Sequence, residues 1–514
     1  MLNLSVLLED SARRFPEKEA FVFGDSHLTY AQVNGAANQI AAGLRAKGIQ
    51  PGDKVALSCL NIPYFPMVYF GILKAGAVVV PLSVLLKRNE IGYHLSDSEA
   101  KAYFCFEGTP ELPMAKEGHA GFQQAEQCEH FFTITAQPDA PSPIEGSTTL
   151  GQLMHDQSPV GNTYPTGAED TALIVYTSGT TGKPKGAELT HSNLLLNAIL
   201  SADLLKATPD DRILIVLPLF HIFGMTVLMN AGIYRGTTSI LLPRFEPKAV
   251  TDLLFKHDIS VFAGVPTMYW GLLHAKGVDE YLPDIQKSLR LCVSGGASLP
   301  VEVLRKFEEK FKVPIIEGYG MSEGSPVVTF NHADRKRKPG SIGTPVWGVE
   351  VMIADDNDQP LPVGEKGQLL YRGHNVMKGY FNRPEVNKEV LKGGWMHSGD
   401  VAYMDEEGYF YIVDRTKDMI IRGGLNVYPR EVEEVMMEHP AISMVAVIGV
   451  PHEQHGEEIK ACVVLKDGAQ ASEEEITGWT KTRLAAYKYP RIITFLDQLP
   501  MSATGKILKK ELRG

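Results

Sequence analysis

The stretch YTSGTTGKPKGAELTH, residues 176–191, constrains the fold and the chemistry of this chain more than any other. An apolar run typical of a buried strand, residues 172–176, leads into it, and a segment with helical spacing begins near Ser192. Glycines let backbone N–H groups of the loop converge on one anion, while hydroxyls and lysines add donors and positive charge. The loop residues concerned are Thr177, Ser178, Gly179, Thr180, Thr181, Gly182, Lys183, Lys185 and Gly186. Such a loop suits the oxygens of a polyphosphate, although it lacks the spacing of a Walker A motif.

Apolar strands alternate with helical segments over most of residues 20–318. This pattern predicts an α/β fold, with parallel sheets covered on both faces and arranged as two similar halves. The stretch 107–166, rich in Pro, Gly, Ser, Gln and Glu, interrupts the alternation, and we expect much of it to be an excursion. At 213–234 we expect a buried strand, a loop at 218–223 and then a buried helix.

The last third of the chain predicts two further units. Short strands and turns over about 340–413 predict a small β-rich subdomain, and the pattern from Pro429 onward predicts an α+β tail domain. Between them the charged run 414–418 has little apolar content, as expected of a connector or hinge. We therefore expect an N-terminal domain at 1–416 and a smaller C-terminal domain at 417–514.

Charge and cysteine usage exclude several classes of function. The formal net charge of −11 over 514 residues argues against nucleic acid as a partner, because neutralising phosphates needs a basic face. The five cysteines contain no CxxC, which is typical of buried thiols in a reducing compartment rather than of disulfides or a metal site. No basic segment precedes the first apolar residues, and polar residues break the run 213–234. We therefore expect a cytoplasmic protein without a signal peptide or transmembrane segment.

Several stretches of the chain resemble, in the usual order, the motifs of the adenylate-forming superfamily of acyl-CoA synthetases, peptide-synthetase adenylation domains and luciferases. These stretches are residues 176–186, LPLFHIFGM (217–225), SGGASL (294–299), EGYGMSE (317–323), GWMHSGDVAYMDEEGYFYIVDRTKD (394–418), IIRGGLNVYPREVEE (420–434) and PMSATGKILKKELR (500–513). The chain as a whole is most similar to bacterial long- or medium-chain fatty acyl-CoA ligases.

The residue types in these motifs fit nucleotide chemistry. Tyr319 offers a ring to adenine, Ser322 a hydroxyl to the α-phosphate, and Glu323 a hard oxygen ligand to Mg²⁺. As an ionised carboxylate, Asp400 can accept both hydroxyls of a ribose. Taken alone, Glu323 is equally an acid of a helix's first turn, and Lys506 equally part of a solvated basic helix face.

The resemblance implies a role for each matching residue. Catalytic roles fall to Lys506, Glu323, His221 and Lys417, the last as the pivot of a mobile C-terminal domain. ATP or AMP is expected at the loop above and at Gly295, Gly296, Ala297, Glu317, Gly318, Tyr319, Gly320, Met321, Ser322, Asp400 and Arg415. An acyl pocket is expected at His221, Phe223, Gly224, Met225, Val265 and Tyr269, and a CoA tunnel at Gly423, Gly424 and Leu425. The expected metal ligands are Glu323 and Thr181.

The activity so implied is ATP-dependent activation of a carboxylic acid to acyl-AMP, with loss of pyrophosphate, followed by transfer to CoA. Apolar residues around 220–225 and the lack of an acid at 218–224 favour an apolar, fatty acid over an amino acid. The expected cofactors are ATP, Mg²⁺ and CoA, and an oligomer is possible. Alternatives are transfer to an amine or a carrier-protein thiol, a luciferase-like oxygenation, or a nucleotide-binding protein without activity.

Overall fold

Four β-sheets and the helices that cover them form the fold in the computed structural model, which describes residues 2–177, 183–415 and 417–513. In chain order the strands are β1 (Glu19–Phe23), β2 (Ser26–Thr29), β3 (Lys54–Ser58), β4 (Val78–Pro81), β5 (Ala100–Phe106), β6 (His130–Ile134), β7 (Thr148–Thr149), β8 (Thr171–Thr177), β9 (Lys185–Thr190), β10 (Arg212–Ile215), β11 (Thr238–Leu241), β12 (Val261–Gly264), β13 (Leu291–Ser294), β14 (Ile315–Gly320), β15 (Val327–Phe330), β16 (Thr344–Pro345), β17 (Val349–Ala354), β18 (Gly367–Gly373), β19 (Gly379–Tyr380), β20 (Met396–Met404), β21 (Phe410–Arg415), β22 (Ile420–Arg422), β23 (Leu425–Val427), β24 (Ile442–His452), β25 (Gly456–Leu465) and β26 (Ile492–Phe495).

The α-helices connect these strands and cover the sheets. They are α1 (Val6–Arg14), α2 (Tyr30–Ala46), α3 (Tyr64–Lys74), α4 (Arg88–Asp97), α5 (Met114–Phe122), α6 (Leu150–Met154), α7 (His191–Leu204), α8 (Ala231–Arg235), α9 (Pro247–Lys256), α10 (Pro266–Leu273), α11 (Val278–Ser288), α12 (Val301–Phe311), α13 (Pro384–Val390), α14 (Pro429–Met437), α15 (Glu473–Lys481) and α16 (Lys509–Leu512). Short 3₁₀ turns lie at Ser322–Gly324 and Lys392–Gly394.

Two large sheets form the N-terminal part, which confirms the predicted pair of α/β halves. One has nine strands in the order β16-β15-β14-β13-β12-β10-β11-β1-β2, and its strands from β14 to β1 pair in parallel. The other has eight strands in the order β19-β9-β8-β4-β3-β5-β6-β7, parallel from β8 to β7. Strands such as β12 and β13 are buried along their whole length, as parallel strands with helices on both faces must be.

The stretch 107–166 is more ordered than the sequence predicts. It contributes α5, β6, β7 and α6, and β6 extends the eight-stranded sheet, where the Phe132 ring lies 4.7 Å from that of Phe104. Its elements are short and separated by polar linkers, so the periodicity that would reveal them never runs long enough.

The buried helix expected after residue 223 is a π-helix, Phe223–Asn230, which continues into α8. Every residue of this π-helix is buried. π-Helices are rare and occur mostly at functional sites. Within the described ranges, none of the helices has both the length and the apolar character needed to cross a bilayer.

Two smaller sheets, one antiparallel and one mixed, complete the fold and account for the predicted β-rich subdomain and α+β tail domain. The order β17-β18-β20-β21 forms the β-rich subdomain. The C-terminal part has the order β23-β22-β25-β24, with β26 beside β25 and helices α14 and α15 against it. The Ser472 hydroxyl accepts the N–H of Glu475 at 3.2 Å and so caps the N-terminus of α15. A separate hydrophobic cluster, from Ile420 to Ile493, forms the core of this small domain. The predicted boundary at 416/417 stays a prediction.

Candidate active site

Loops that follow the parallel strands of the nine-stranded sheet carry much of the predicted site. His221 lies after β10, Val265 after β12, residues 295–297 after β13, and Ser322 after β14. Because the carboxyl ends of parallel strands meet at one edge, ligands of α/β sheets bind there. The topology therefore gathers residues that are far apart in the sequence.

Lys506 of the small domain reaches this edge. Its Cε lies 3.2 Å, and its Nζ 3.7 Å, from the position that a Cβ on Gly296 would occupy. The φ of Gly296 is +79°, and Val265 Cγ1 lies 3.6 Å from the same Cβ position. The Thr267 hydroxyl donates to the carbonyl oxygen of Gly505 at 3.1 Å, which fixes the backbone next to the lysine.

Charges around Lys506 come from three other predicted site residues. Burial, with the Arg415 guanidinium second, lowers the pKa of Lys506 from its usual value to about 8, while Asp400 and Glu323 oppose that shift. One ammonium group and one guanidinium thus share the site with two carboxylates. The two cations can donate charge-assisted hydrogen bonds to a phosphate or carboxylate, while the two carboxylates can accept from hydroxyls or hold a cation.

His221 is a neutral imidazole in this site. Burial, and then the nearby Lys506 charge, lower the pKa of His221 to about 3. The backbone N–H of Phe223 donates to His221 Nδ1 at 3.3 Å, so the ring proton lies on Nε2. His221 can therefore donate one hydrogen bond without adding charge.

The carboxylate of Asp400 has a partner on each oxygen. The Tyr319 hydroxyl donates to Oδ2 at 2.5 Å, and Arg415 Nε lies 3.4 Å from Oδ1. Asp400 and Arg415 are directly opposite each other on β20 and β21. Burial raises the pKa of Asp400, and the Arg415 charge works against that shift.

Glu323 is held by a residue that the sequence did not single out. The Tyr380 hydroxyl donates to Glu323 Oε1 at 2.6 Å, and both side chains are buried. Tyr380 on β19 pairs with Ala187 on β9, and its ring lies 5.2 Å from Lys185 Nζ. Only the general need of a buried tyrosine hydroxyl for a partner could have indicated this contact.

Helix α4 supports the hairpin of strands β8 and β9 that carries the phosphate-binding loop, a second feature that sequence reasoning missed. The Tyr93 hydroxyl donates to the carbonyl oxygen of Pro184 at 2.7 Å, and Lys183 Nζ lies 5.2 Å from the Tyr93 ring. The Tyr176 hydroxyl donates to Asp97 Oδ2 at 2.9 Å. Thr177 ends β8 and Lys185 begins β9. Predictions for Ser178, Gly179, Thr180, Thr181 and Gly182 concern positions outside the described residues.

Glu317 is buried beside two loops of the large domain. Backbone N–H groups of Leu299 and Gly340 donate to its two carboxylate oxygens, each at 3.4 Å. Burial is the main cause that raises the pKa of Glu317 to about 7, and the Arg430 charge opposes it. Its carboxylate therefore titrates near neutral pH.

Glycines 318 and 320 are required by the packing of β14 on β15. A Cβ at Gly318 would lie 2.3 Å from the Phe330 ring, and one at Gly320 would lie 2.0 Å from the Pro326 carbonyl oxygen. The Met321 N–H donates to that same carbonyl at 3.1 Å. These contacts shape the turn that presents Ser322 and Glu323.

The residues predicted for the acyl pocket divide into two groups. Phe223 lies near the site, since its ring is 3.2 Å from the Cβ position of Gly295, and Val265 borders Gly296. Tyr269 and Met225 are fully buried. The Tyr269 hydroxyl donates to the carbonyl oxygen of Val293 at 2.6 Å, and Gly224 packs against loop carbonyls. These last three have packing roles, and their place beside the acid stays a prediction.

The segments predicted as hinge and CoA tunnel lie at the start of the small domain. Burial, with Arg415 second, lowers the pKa of Lys417, and Thr416 is outside the described residues. Gly423 and Gly424 form the tight turn between β22 and β23, with φ of +59° and +80°, and Leu425 is 49% exposed. Positive φ at both positions is what such a hairpin turn requires.

Known proteins match this chain over nearly its whole length, in the family that its motifs resemble. Residues 8–381 match the family described as AMP-binding enzyme, and residues 431–506 match the AMP-binding enzyme C-terminal domain. A long-chain-fatty-acid–CoA ligase of Bacillus subtilis (strain 168) is 38% identical in an alignment of length 537, which covers 99% of this chain and 94% of the relative. A feruloyl-CoA synthase of Amycolatopsis sp. is 39% identical over 509 residues, which cover 98% and 96%.

Among solved structures, the anthranilate CoA ligase AuaEII in complex with anthranoyl-AMP superposes with a TM-score of 0.92. It is 31% identical to this chain, and the match covers 99% of this chain and 96% of that one. The named acids of these relatives range from long-chain fatty to aromatic.

Proposed function

Because this chain belongs to the AMP-binding enzyme family and is an AMP-forming acid–thiol ligase, we propose that it joins a fatty acid to CoA. In the first step a carboxylate oxygen bonds to the α-phosphorus of ATP, and pyrophosphate leaves. In the second, the CoA sulfur bonds to the acyl carbon, its proton is lost, and AMP leaves. ATP is needed because a carboxylate carries no leaving group of its own.

The position of Lys506 is the observation that carries this proposal. The ammonium group lies at Gly296, close enough to Asp400, Arg415 and Glu323 for their charges to act on it. A cation at this point stabilises the charge that grows on the phosphoryl oxygens as the acid attacks. We assign Asp400 to the ribose hydroxyls and Tyr319 to the adenine ring.

Mg²⁺ fits this site through Glu323. The Tyr380 hydroxyl donates to Oε1 of the carboxylate, and no other described residue hydrogen-bonds to Oε2, which can therefore take a cation. Mg²⁺ is commonly held by one or two carboxylates together with substrate phosphates, and no cluster of three or more potential ligands exists in the described parts of the chain. Bound there, the ion would supply charge neutralisation to the β- and γ-phosphates. Thr181 remains a proposed ligand.

An apolar acid suits the groups around the reaction centre. His221 is neutral, while Phe223 and Val265 present apolar surface next to Gly295 and Gly296. A buried charge without a partner would be costly, so an amino acid has no obvious place for its ammonium group. The likeness to a feruloyl-CoA synthase favours an aromatic acid as the second candidate.

The thiol step requires the space that Lys506 occupies. We propose that the small domain turns about Lys417 and brings the hairpin of Gly423 and Gly424 to the site, where small residues let the pantetheine arm pass. Ligands favour whichever of the two orientations they contact better. The reaction draws on ATP and CoA, and the five cysteines are free and buried, both of which support a cytoplasmic location.

Acid-dependent exchange of pyrophosphate into ATP tests the first step. The panel contains fatty acids of increasing length, ferulate, benzoate and amino acids, with a no-acid control. We expect exchange with fatty acids, and acyl-CoA as product when CoA, a pantetheine-loaded carrier protein and amines are compared as acceptors. ATP consumption without any acid, or formation of ADP, would refute the function. A clear preference for ferulate would replace the fatty acid by the aromatic one.

A further inference from the structure

Asp414, at the end of the large domain, binds the backbone of Arg430, and the Arg430 side chain, at the start of the small domain, binds backbone carbonyls of the large domain. The Arg430 N–H donates to Asp414 Oδ2 at 3.1 Å. In return, Arg430 Nη1 donates to the carbonyl oxygen of Ile412 at 2.5 Å, two residues before Asp414. Nη2 lies 3.4 Å from a second large-domain carbonyl oxygen, that of Gly340.

Asp414 acts as a cap for a helix of the other domain. Helix α14 begins at Pro429, so the N–H of Arg430 is one of the first-turn donors without a partner inside the helix. A carboxylate there accepts a hydrogen bond and lies at the positive end of the helix dipole. Its other oxygen, Oδ1, accepts the N–H of Arg415 at 2.8 Å, so the cap is anchored to its own strand.

Each of the three nitrogen atoms of the Arg430 guanidinium has a hydrogen-bond acceptor. Besides the two carbonyl contacts, its Nε donates to Glu434 Oε1 at 3.0 Å within α14, and the side chain is only 14% exposed. The planar fork of arginine can serve three acceptors in fixed directions, whereas a lysine ammonium cannot span the same three positions. Orientation of α14 against the large domain therefore depends on this residue type.

Helix α14 also holds the segment that carries Lys506. Glu433 on α14 pairs with Lys509 at 2.7 Å, and both side chains are about one-fifth exposed. Lys509 is three residues beyond Lys506 and also carries charge close to Asp414. A chain of contacts thus runs from the last strand of the large domain, through α14, to the reactive lysine.

We propose that Asp414 and Arg430 form an interdomain latch that holds the small domain in the orientation where Lys506 reaches the reacting oxygens. This inference rests on the proposed role of Lys506 in acyl-adenylate formation. The latch opens before the thiol step, because rotation about Lys417 separates α14 from the carbonyl groups of Ile412 and Gly340. Arg430 is a positioning residue, since it acts through Lys506 rather than on the substrate.

Kinetics of the two half-reactions test the latch in the full-length protein. The variants are Arg430→Ala, Arg430→Lys and the matched control Arg483→Ala, whose guanidinium lies 3.4 Å over the Trp479 ring within the small domain. Losing charged hydrogen bonds to two carbonyls should slow acid-dependent exchange about tenfold in Arg430→Ala, and less in Arg430→Lys. Thioester formation from a supplied acyl-adenylate should stay unchanged or become faster. The latch would be overturned if both half-reactions slowed equally in Arg430→Ala, or if the exchange did not slow at all.

A distance measurement tests the latch without relying on activity. Spin labels are attached at Asp356→Cys in the large domain and Lys481→Cys in the small domain, both exposed positions, and report the distance between the two domains. The five native cysteines are buried and should not take the label. In Arg430→Ala the distribution of distances should broaden or shift, with a smaller change in Arg430→Lys and none in Arg483→Ala. An unchanged distribution in Arg430→Ala would overturn the proposal. A shifted distribution in a protein without acid-dependent exchange would support the latch and refute the proposed function instead.

Discussion

Lys506 Cε lies 3.2 Å from where a Cβ on Gly296 would be, so the lysine side chain of the small domain packs closely against this glycine of the large domain. This contact joins the two predicted domains at the point where chemistry is expected. It is the contact expected of the orientation that we propose for acyl-adenylate formation. The predictions below follow from this contact and from the buried carboxylates around it.

Replacing Lys506 by alanine should separate the two half-reactions. Loss of a single electrostatic contact to the transition state commonly slows a reaction about 10²–10³-fold, so acid-dependent exchange should fall by about that factor. Thioester formation from a supplied acyl-adenylate should persist, because the lysine leaves before that step. Both rates are measured beside those of Lys510→Ala, an exposed lysine four positions away, which should match the wild type. Equal loss of both half-reactions would contradict the assigned role.

The rate of adenylate formation should fall as the pH becomes alkaline. Lys506 is useful when charged, and its pKa in the free enzyme is lowered to about 8, so its proton is lost as the pH rises through that value. Above the pKa, kcat/KM for ATP should fall about tenfold for each further pH unit. Lys506→Arg keeps its charge throughout this range, and its profile should stay flat where that of the wild type declines. A wild-type profile that is level to pH 9.5 would disprove the assignment.

Tyr380→Phe should raise the concentration of Mg²⁺ that the enzyme needs. The substitution removes the hydroxyl that donates to Glu323 Oε1 at 2.6 Å and leaves a buried carboxylate oxygen without its donor. Loss of a hydrogen bond to a charged group costs about 1.5–3 kcal/mol, which corresponds to about 10- to 100-fold in apparent affinity. Mg²⁺ titration of the exchange rate measures this effect. Tyr411→Phe, which loses a hydroxyl that donates to Asp405 at 3.1 Å, is the control and should not change the requirement.

Glu317→Gln should stabilise the protein at neutral and alkaline pH. Burial raises the pKa of Glu317 from its ordinary 4.5 to about 7, so the folded protein holds a proton that the unfolded chain loses between those values. Stability contributed by this group therefore declines as the pH rises from 4.5 to 7. Glutamine is uncharged, like the protonated acid, and should remove that decline. Its NH2 group cannot accept the second backbone N–H, which lowers stability by the same amount at every pH. Thermal midpoints at pH 5 and pH 8 measure the difference, with the exposed Glu365→Gln as control, and an advantage of equal size at both values would argue against the shift.

Much of the fold follows from local sequence pattern. The alternation that predicts parallel sheets is set by runs such as those of β12 and β13, whose burial on both faces is a property of the strand itself. The elements within 107–166 could not be predicted from the sequence, because their short strands form only by pairing at the edge of an existing sheet. The π-helical form of Phe223–Asn230 could not be predicted, because a helix that is buried on all sides shows no periodic pattern of apolar and polar residues.

Site residues, too, divide into those that a local sequence pattern identifies and those that only the tertiary fold reveals. Those within a motif, such as Asp400 and Lys506, could be named from the sequence because their neighbours identify them. Tyr380 lies outside these motifs, and the motif 420–434, which contains Arg430, did not reveal that residue's role. The partners of both residues lie on other elements: Tyr380 meets Glu323 only after β19 pairs with β9, and Arg430 meets Gly340 only when the two domains dock. Contacts between remote segments are products of the tertiary fold, which no short window of sequence contains.

The hydrogen bond from Tyr319 to Asp400 has a consequence for how the enzyme discriminates between nucleotides. One carboxylate oxygen accepts the Tyr319 hydroxyl and the other lies 3.4 Å from Arg415 Nε, so a ribose bound as we propose would exchange these contacts for hydrogen bonds of its own. Such a trade returns little net free energy, and the carboxylate adds more to selectivity than to tightness of binding. A sugar without the matching pair of hydroxyls would therefore gain little by displacing Tyr319 from Asp400.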